Sequence, residues 1–372
     1  MKKQIPIPMD NSIRYLILSL IAMCGEFPVD QLPRLTGGER YKMNLIKELK
    51  KQKMIHTYYA DKYRAFRLSK NGKTLLLEKN PDRFQFWLTG DNDTNHLKSE
   101  ITRRIRLRRI AETTVTMINA GVHVYRDEKP NVFTPIPLST ALQIDEPIFF
   151  NSREIKSIGQ EAVKISGARS VGVLLSADDL FVVYNLGGSL MKWSHNAEMR
   201  TKVFLMNNCC LQRQYGLYLP NKGKAILLAN KIETAYKLLT VATNTLYAID
   251  EDCYEHFFFL TNDRKGERLI QLLCDRYLNE QLNEILKTDL CEHNPSSAIE
   301  NDAFTEDGLP VLFAHTFDWP RIKRFKRSLE IYDMEGVVVC FDYQKEVLEQ
   351  YLGERVRFET ISFEKWEKAF FG

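Results

Sequence analysis

Four residues in the second half of the chain have side chains suited to hydrolysing a phosphodiester bond. They are Glu154, Asp179, Lys192 and Glu198. Carboxylates can hold one or two divalent cations such as Mg²⁺ or Mn²⁺, and a lysine can position the attacking water or stabilise the phosphorane. One hypothesis from the sequence is therefore a metal-dependent DNA nuclease with these four residues as its catalytic set.

The sequence around these four residues also fits a domain that has lost its catalytic activity. Its predicted order of helix, meander, helix and strand resembles the core of the PD-(D/E)XK nucleases, in which an acid stands two residues before the lysine. Here Leu190 stands two residues before Lys192. Asp178 and Asp179 suit a turn between two strands. Glu198 would then be an acid in the first turn of a helix, and Lys192 a surface cation.

The elements that would carry these residues form an α/β pattern over residues 152–372. Short runs rich in β-branched and apolar residues predict strands, and several of these runs alternate with helical segments. The predicted strands are Ser170–Leu175, Leu180–Asn185, Leu190–Ser194, Ala225–Ala229, Phe257–Thr261, Val311–Phe313 and Gly336–Phe341. This order predicts a mixed sheet covered by helices, in a protein that is α+β overall.

Residues 28–77 have the pattern of a winged helix-turn-helix. The predicted elements are a short helix Val29–Leu35, a turn Thr36–Gly38, a helix Glu39–Lys53 and two strands, Ile55–Tyr59 and Arg64–Leu68. The connection between the strands would form a wing. The tetrapeptide Ser69-Lys70-Asn71-Gly72 predicts a further turn with Gly72 at positive φ.

The helix Glu39–Lys53 is predicted to bury one side and to present cations and an amide on the other. Tyr41, Leu45, Ile46 and Leu49 form the predicted buried stripe. A helix of this kind fits the major groove, where side chains read base edges and ammonium groups meet phosphates. The candidate contacts to double-stranded DNA in this helix and the wing are Arg40, Lys42, Asn44, Lys47, Lys51, Lys62, Tyr63 and Arg64. The alternative is an ordinary solvated, lysine-rich helix.

A long helix from His96 to Ala120 contains five arginines within seven residues. Arg103, Arg106 and Arg109 are predicted to line one side of this helix and to contact phosphates. Two alternatives remain open for this cluster. The arginines could form salt bridges to the acidic C-terminal domain, or they could make contacts within a homodimer.

Charge is distributed unevenly along the 372 residues. The formal net charge is only +4, but residues 1–115 carry 23 Lys and Arg against 12 Asp and Glu, a net charge of +11, and the rest carry −7. This asymmetry indicates a polyanion bound by the N-terminal part. The length of the chain and the changes in sequence pattern along it predict three regions, residues 1–90, 91–151 and 152–372.

The motifs that are absent from the sequence argue against several classes of protein. Phosphate-binding loops of the G-x-x-x-x-G-K-[ST] or G-x-G-x-x-G kind are absent, which argues against nucleotide hydrolysis and dinucleotide binding. The seven cysteines show no C-x-x-C pair, as expected for reduced thiols in the cytoplasm. The apolar run Tyr15–Cys24 is too short to cross a bilayer and predicts a buried first helix, capped at Asp10, Asn11 or Ser12.

Taken together, the sequence resembles the replication-relaxation proteins of bacterial plasmids and integrative elements. The resemblance rests on the segments RYKMNLIKELKKQKMI and YRAFRLSKNGKTLL, on the arginine-rich helix, and on SREIK, VGVLLSADDLFVVYN and MKWSHNAEMRTK. It implies a cytoplasmic protein of a mobile element that binds an origin-like DNA site and takes part in initiating replication or transfer. Glu198 and Lys192 would be the catalytic remnants.

Three other functions remain open from the sequence. A transcriptional regulator would use the α/β domain to sense a ligand or to dimerise. An active nuclease would cleave DNA with Mg²⁺ or Mn²⁺. In a protein-interaction scaffold, the basic N-terminal part would only be solvated and would not bind DNA.

Overall fold

The chain folds into two compact units in a computed structural model. The first comprises Met1–Asn119 with His123–Pro130, and the second comprises Ala120–Val122 with Asn131–Gly372. The structure describes residues 12–90, 94, 97, 99–130, 132, 144–156, 169–210, 223–250, 253–292 and 299–372. Helices and strands are mixed throughout, which confirms the predicted α/β class.

The first unit contains five α-helices and one three-stranded sheet among its described residues. Its helices are α1 (Ile13–Cys24), α2 (Glu39–Lys51), α3 (Lys70–Lys79), α4 (Pro81–Leu88) and α5 (Ile101–Asn119), with 3₁₀ turns at Val29–Arg34 and Arg126–Glu128. Its strands are β1 (Phe27–Pro28), β2 (Ile55–Ala60) and β3 (Tyr63–Leu68), in the order β1-β3-β2. All pairings in this sheet are antiparallel.

Helix α1 forms the centre of this unit. Ser12 caps it by accepting a hydrogen bond from the Tyr15 N–H at 3.2 Å, and Gly25 ends it at φ 85°. Ser12 is one of the three predicted caps, whereas Asp10 and Asn11 lie outside the described residues. Ile17, Leu18 and most of their neighbours are fully buried, so the predicted buried first helix is confirmed.

The predicted hairpin β2–β3 is present, but its connection has two residues rather than the predicted four, because Ala60 and Tyr63 belong to the strands. Ala60 pairs with Tyr63, and the intervening Asp61 and Lys62 have φ values of 51° and 66°. Two consecutive residues at positive φ are typical of a type I′ turn, whose twist matches that of the strands.

The predicted turn at Ser69–Gly72 is wrong, because these residues begin helix α3. Ser69 precedes the helix, and Gly72 lies inside it without a positive φ. Glycine is needed there for close packing, since a Cβ atom at position 72 would lie 2.4 Å from the Met54 carbonyl oxygen. The same carbonyl accepts the Ser69 N–H.

Gly72→Ala is therefore expected to destabilise the first unit by about 1–3 kcal/mol, the usual cost of overpacking. Urea unfolding of the full chain measures this change. Gly188→Ala is the matched control, because a Cβ atom there meets nothing within 4 Å. Equal stability of the two variants would contradict the close approach.

The described residues of the second unit form two five-stranded sheets. The first sheet contains β4 (Ile148–Asn151), β5 (Gly172–Leu175), β6 (Leu180–Gly187), β7 (Lys224–Ala229) and β8 (His256–Thr261), in that order. The second contains β9 (Cys291–Glu292), β10 (Ala303–Phe304), β11 (Pro310–Phe313), β12 (Gly336–Phe341) and β13 (Val356–Ile361), in the order β13-β12-β11-β10-β9. In each sheet two pairings are parallel and two are antiparallel.

The helices of the second unit fill the connections between these strands. They are α6 (Ser152–Lys156), α7 (His195–Cys210), α8 (Glu233–Thr240), α9 (Arg264–Cys274), α10 (Arg276–Lys287), α11 (Trp319–Tyr332), α12 (Lys345–Leu352) and α13 (Phe363–Phe371). Strands β6, β7 and β12 are buried along almost their whole length, as expected for strands covered on both faces. One hydrophobic cluster joins residues of both sheets, including Leu227, Phe257 and Val338.

The predicted meander exists, but its composition differs from the prediction. Its first strand is β4, which the sequence did not indicate, and Leu190–Ser194 forms no strand. Instead the Trp193 N–H donates to the Leu246 carbonyl at 2.8 Å, outside the sheet. Among the described residues, no helix is both long and apolar enough to cross a membrane.

Candidate nucleic-acid interface

Helix α2 presents to solvent a face on which four cations outnumber two acids. Its buried residues are Lys42, Leu45, Ile46 and Leu49, which follow the i, i+3, i+4, i+7 spacing of one helical face. Tyr41 is 56% exposed, so its predicted place in the buried stripe is wrong. The exposed face carries Glu39, Arg40, Tyr41, Met43, Asn44, Lys47, Glu48, Lys50 and Lys51.

Lys42 is the one predicted DNA contact in α2 that the structure places in the interior. It is 3% exposed, and its Nζ donates to the carbonyl oxygens of Pro33 and Leu35 at 3.0 and 2.6 Å. These carbonyls end the 3₁₀ turn before α2, so Lys42 joins the two helical segments. The correction follows from the lysine stem, which packs as an apolar chain while its ammonium finds oxygen partners.

Lys42→Met keeps the stem but leaves both carbonyls without their donor. We expect a loss of about 1–3 kcal/mol in the free energy of unfolding, the cost of unsatisfied buried groups. The salt dependence of DNA binding should not change, because this ammonium does not reach the surface. A shallower salt dependence in Lys42→Met would contradict the buried assignment.

The hairpin β2–β3 adds a second cationic surface to the first unit. Lys62 and Arg64 are exposed at and beside its tip, and Tyr63 is half-buried. Tyr59 is 63% exposed, and the Arg64 guanidinium lies 5.8 Å from the centroid of its ring. This end of the hairpin therefore combines cations with an accessible aromatic face.

A buried ionic cluster fixes the hairpin to the rest of the unit. Glu26 is 2% exposed and accepts hydrogen bonds from Arg67 at 2.7 and 2.9 Å and from Arg104 at 3.0 Å. Arg104 also donates to the carbonyls of Ala60 and Tyr63, which flank the turn. The Arg67 guanidinium lies 3.6 Å from the centroid of the Tyr58 ring. One arginine of α5 thus determines where the hairpin tip lies.

The arginine-rich helix exists as α5, but it begins at Ile101 rather than at the predicted His96, and two of its arginines are structural. Besides Arg104, Arg108 forms ion pairs with Asp30 and, at 2.9 Å, with Glu112. The predicted phosphate contacts Arg103, Arg106 and Arg109 are half-buried, and each already has an interaction. Helix α5 therefore does not present five accessible guanidinium groups to solvent.

The four predicted nuclease residues do not converge on one site. The Glu154 carboxylate accepts from the Asn151 N–H at 3.0 Å, and the Asn151 side chain accepts from the Glu154 N–H, a reciprocal cap of helix α6. Asp179 ends the β5–β6 turn and pairs with Lys224 at 2.7 Å. Lys192 is exposed on the irregular segment before α7.

Glu198 lies in the core rather than in an open site. It is fully buried, and it accepts hydrogen bonds from the Tyr184 hydroxyl at 3.0 Å and the Arg169 N–H at 2.7 Å. Burial raises the pKa of its carboxyl group. Among the described residues, the group of three possible ligands whose atoms lie within 4.8 Å of one another is His195, Asp250 and Cys253, none of them predicted. The prediction of one catalytic set is therefore corrected: the three acids have separate structural roles, and Lys192 is exposed.

A polar cavity of about 520 Å³ lies in the second unit. His256 lines it and pairs through Nδ1 with Asp318 at 2.6 Å. His315 also lines it, and no hydrogen-bond partner is present for either ring nitrogen among the described residues. Burial, with the nearby Arg321, lowers the pKa of His315 to about 4, so this imidazole is neutral at pH 7. The volume is within the range of small-molecule sites.

Comparisons of the chain with protein-family models, with curated proteins and with solved structures find no match.

Proposed function

We propose that this protein binds double-stranded DNA through its first unit, with the exposed face of α2 in the major groove and the β2–β3 hairpin as a wing. The observation that carries the proposal is the presence of accessible cations on both elements: Arg40, Lys47 and Lys51 on α2, and Lys62 and Arg64 on the hairpin. Asn44 on the same face of α2 supplies an amide of the kind that reads adenine.

The order of elements supports assigning the first unit as a winged helix-turn-helix. The 3₁₀ turn Val29–Arg34 and α2 correspond to the two helices of the motif, and the hairpin follows directly. In proteins of this kind the second helix enters the major groove. The Glu26 cluster favours binding, because a hairpin fixed in advance loses little freedom when it meets the DNA backbone.

We further propose that the protein acts in the cytoplasm for a mobile genetic element, in the initiation of replication or transfer. This part of the proposal rests on the resemblance to replication-relaxation proteins. A homodimer would place two copies of α2 on successive turns of the duplex. Retention of a labelled element-derived origin fragment over a scrambled duplex of the same length tests this role, and equal retention of the two would contradict it.

Fluorescence anisotropy with the full chain and a labelled duplex tests DNA binding. Each phosphate contact contributes about −0.9 to the slope of log K against log salt concentration. Five accessible cations therefore predict a slope of up to about −4.5. Binding that does not depend on salt, or that is absent at low salt, would contradict the proposal.

The cavity favours one alternative, a winged-helix regulator whose second unit senses a small molecule. His315 in its lining is buried and neutral, and its ring nitrogens, one a donor and one an acceptor, have no hydrogen-bond partner among the described residues. A palindromic target that is bound without divalent cations would favour this regulator. A target without two-fold symmetry would favour the role in initiation.

A further inference from the structure

Two irregular segments of the second unit meet beside the start of helix α7. The hydrogen bond from the Trp193 N–H to the Leu246 carbonyl, 2.8 Å long, ties the segment before α7 to the segment before β8. This contact brings His195, at the first position of α7, next to Asp250 and Cys253. The three side chains offer an imidazole nitrogen, a carboxylate oxygen and a thiol sulfur that all lie within 4.8 Å of one another.

Both partners of His195 approach the same ring nitrogen. Its Nδ1 lies 2.5 Å from Asp250 Oδ2 and 3.6 Å from Cys253 Sγ. In a Cys-His-Asp catalytic triad the acid and the nucleophile contact opposite nitrogens of the ring, so that a proton can pass through it. Convergence on one nitrogen is instead the arrangement in which three ligand atoms can surround one ion.

The state of the thiol also argues against a nucleophile. Cys253 is 1% exposed, and burial raises the pKa of its thiol to about 12. Reactive cysteines lie in accessible, electropositive surroundings that lower the pKa. The backbone of Cys253 is fixed as well, because its carbonyl accepts from Lys202 Nζ at 2.7 Å. The sulfur is therefore held in place but cannot be reached by a large substrate.

We propose that His195, Asp250 and Cys253 form a binding site for a transition-metal ion of the zinc class. Nitrogen, sulfur and carboxylate ligands suit Zn²⁺, whereas Mg²⁺ and Ca²⁺ take oxygen ligands. Tetrahedral zinc with ordinary bond lengths separates its nitrogen and sulfur ligands by about 3.6 Å. The nitrogen and sulfur atoms here have that separation without rearrangement, and the Asp250 oxygen must withdraw by about 1 Å to reach tetrahedral spacing.

When the ion binds, it replaces one proton. The Cys253 thiol releases its proton to solvent, and the imidazole carries its single N–H at Nε2 while Nδ1 binds the metal. His195 and Asp250 have side chains that are 52% and 35% exposed, so water can reach the fourth position. The ion would thus join the start of α7 to the segment that leads into β8.

Cobalt is the direct probe, because a thiolate bound to Co²⁺ gives a charge-transfer absorption in the near ultraviolet. We expect the full chain, freed of metal with a chelator, to bind one Co²⁺ with this band and to lose it when Zn²⁺ is added. Cys253→Ser should abolish the band. His195→Gln should weaken binding strongly, and this variant tests the site even if the buried serine prevents folding. Cys291→Ser is the control, because it removes an exposed thiol elsewhere.

The thermal stability of the same samples gives a second measurement. At a Zn²⁺ concentration of 100 times Kd, the ratio of folded to unfolded protein should rise about 100-fold. This gain should be absent in His195→Gln and present in Cys291→Ser. Loss of the cobalt band in Cys291→Ser, or an unchanged band in both His195→Gln and Cys253→Ser, would overturn the proposal. These readouts do not involve DNA, so they are independent of the proposed function.

Discussion

Replacing Glu26 by Gln is expected to lower the free energy of unfolding of the first unit by about 3–5 kcal/mol. The reason is that, among the residues that the structure describes, Glu26 is the one acid paired with two buried guanidiniums. Arg67 and Arg104 are 6% and 1% exposed and both donate to this carboxylate. Water cannot replace the lost charge. Hydrogen exchange of the native full chain, followed by mass spectrometry, measures the loss as faster exchange in α1, α5 and the hairpin.

Glu128→Gln is the matched control in the same unit. Glu128 pairs with Arg83 at 2.6 Å, but its side chain is 36% exposed, so solvent screens the pair. Its removal should cost less than about 1 kcal/mol. Similar costs for the two substitutions would mean that the cluster around Glu26 contributes no more than a surface ion pair. The hairpin would then need another explanation for its fixed position.

The double substitution of Lys47 and Lys51 by Ala should weaken DNA binding by about 10- to 100-fold at 0.1 M salt and make the slope of log K against log salt shallower by up to about 2. Both ammonium groups are exposed on α2. Each one that contacts a phosphate releases about one counterion on binding. Anisotropy titrations over a salt series measure both effects.

The control for this pair removes two exposed lysines from a helix of the other unit. Lys365 and Lys368 are exposed on α13, so replacing both by Ala changes the net charge of the chain by the same amount. Affinity and slope should stay close to those of the unaltered chain. Equal losses in the two double variants would show that overall charge, rather than the face of α2, governs binding.

Periodicity predicted α2 and the hairpin correctly, but it could not assign every position on the helix. Lys42 and Tyr41 are adjacent, and hydropathy favours burying the tyrosine. The structure buries the lysine instead, because its ammonium satisfies two carbonyls that end the preceding turn. Gly72 was misjudged for a similar reason, since its need for close contact with Met54 comes from tertiary packing.

In the second unit, local sequence identified most strands but not how they assemble. Leu190–Ser194 has alternating apolar residues, yet Met191 and Trp193 are buried outside any strand. Strand β13 was missed because its sequence is rich in charged residues, and it lies at the edge of its sheet. Helices α9 and α10 follow each other directly, and Asp275 separates them by accepting the Leu278 N–H as the cap of α10.

The residues that form a candidate site were the hardest feature to predict from the sequence. The acids chosen for their order along the chain have separate structural roles, as the buried hydrogen bonds of Glu198 show. His195, Asp250 and Cys253 have no recognisable spacing, because loops that are distant in sequence bring them together. The backbone contact between Trp193 and Leu246 and the contacts of His195 with Asp250 and Cys253 become apparent only in the folded chain.

Site-specific photocrosslinking measures most directly whether the exposed face of α2 contacts DNA. A photoreactive phenylalanine analogue would replace Tyr41, which is 56% exposed on α2, or Tyr277, which is 68% exposed on α10 of the second unit. We expect a crosslink to a labelled duplex from position 41, decreasing with salt, and none from position 277. Crosslinks from position 277 alone, or equal yields from both positions, would contradict this expectation.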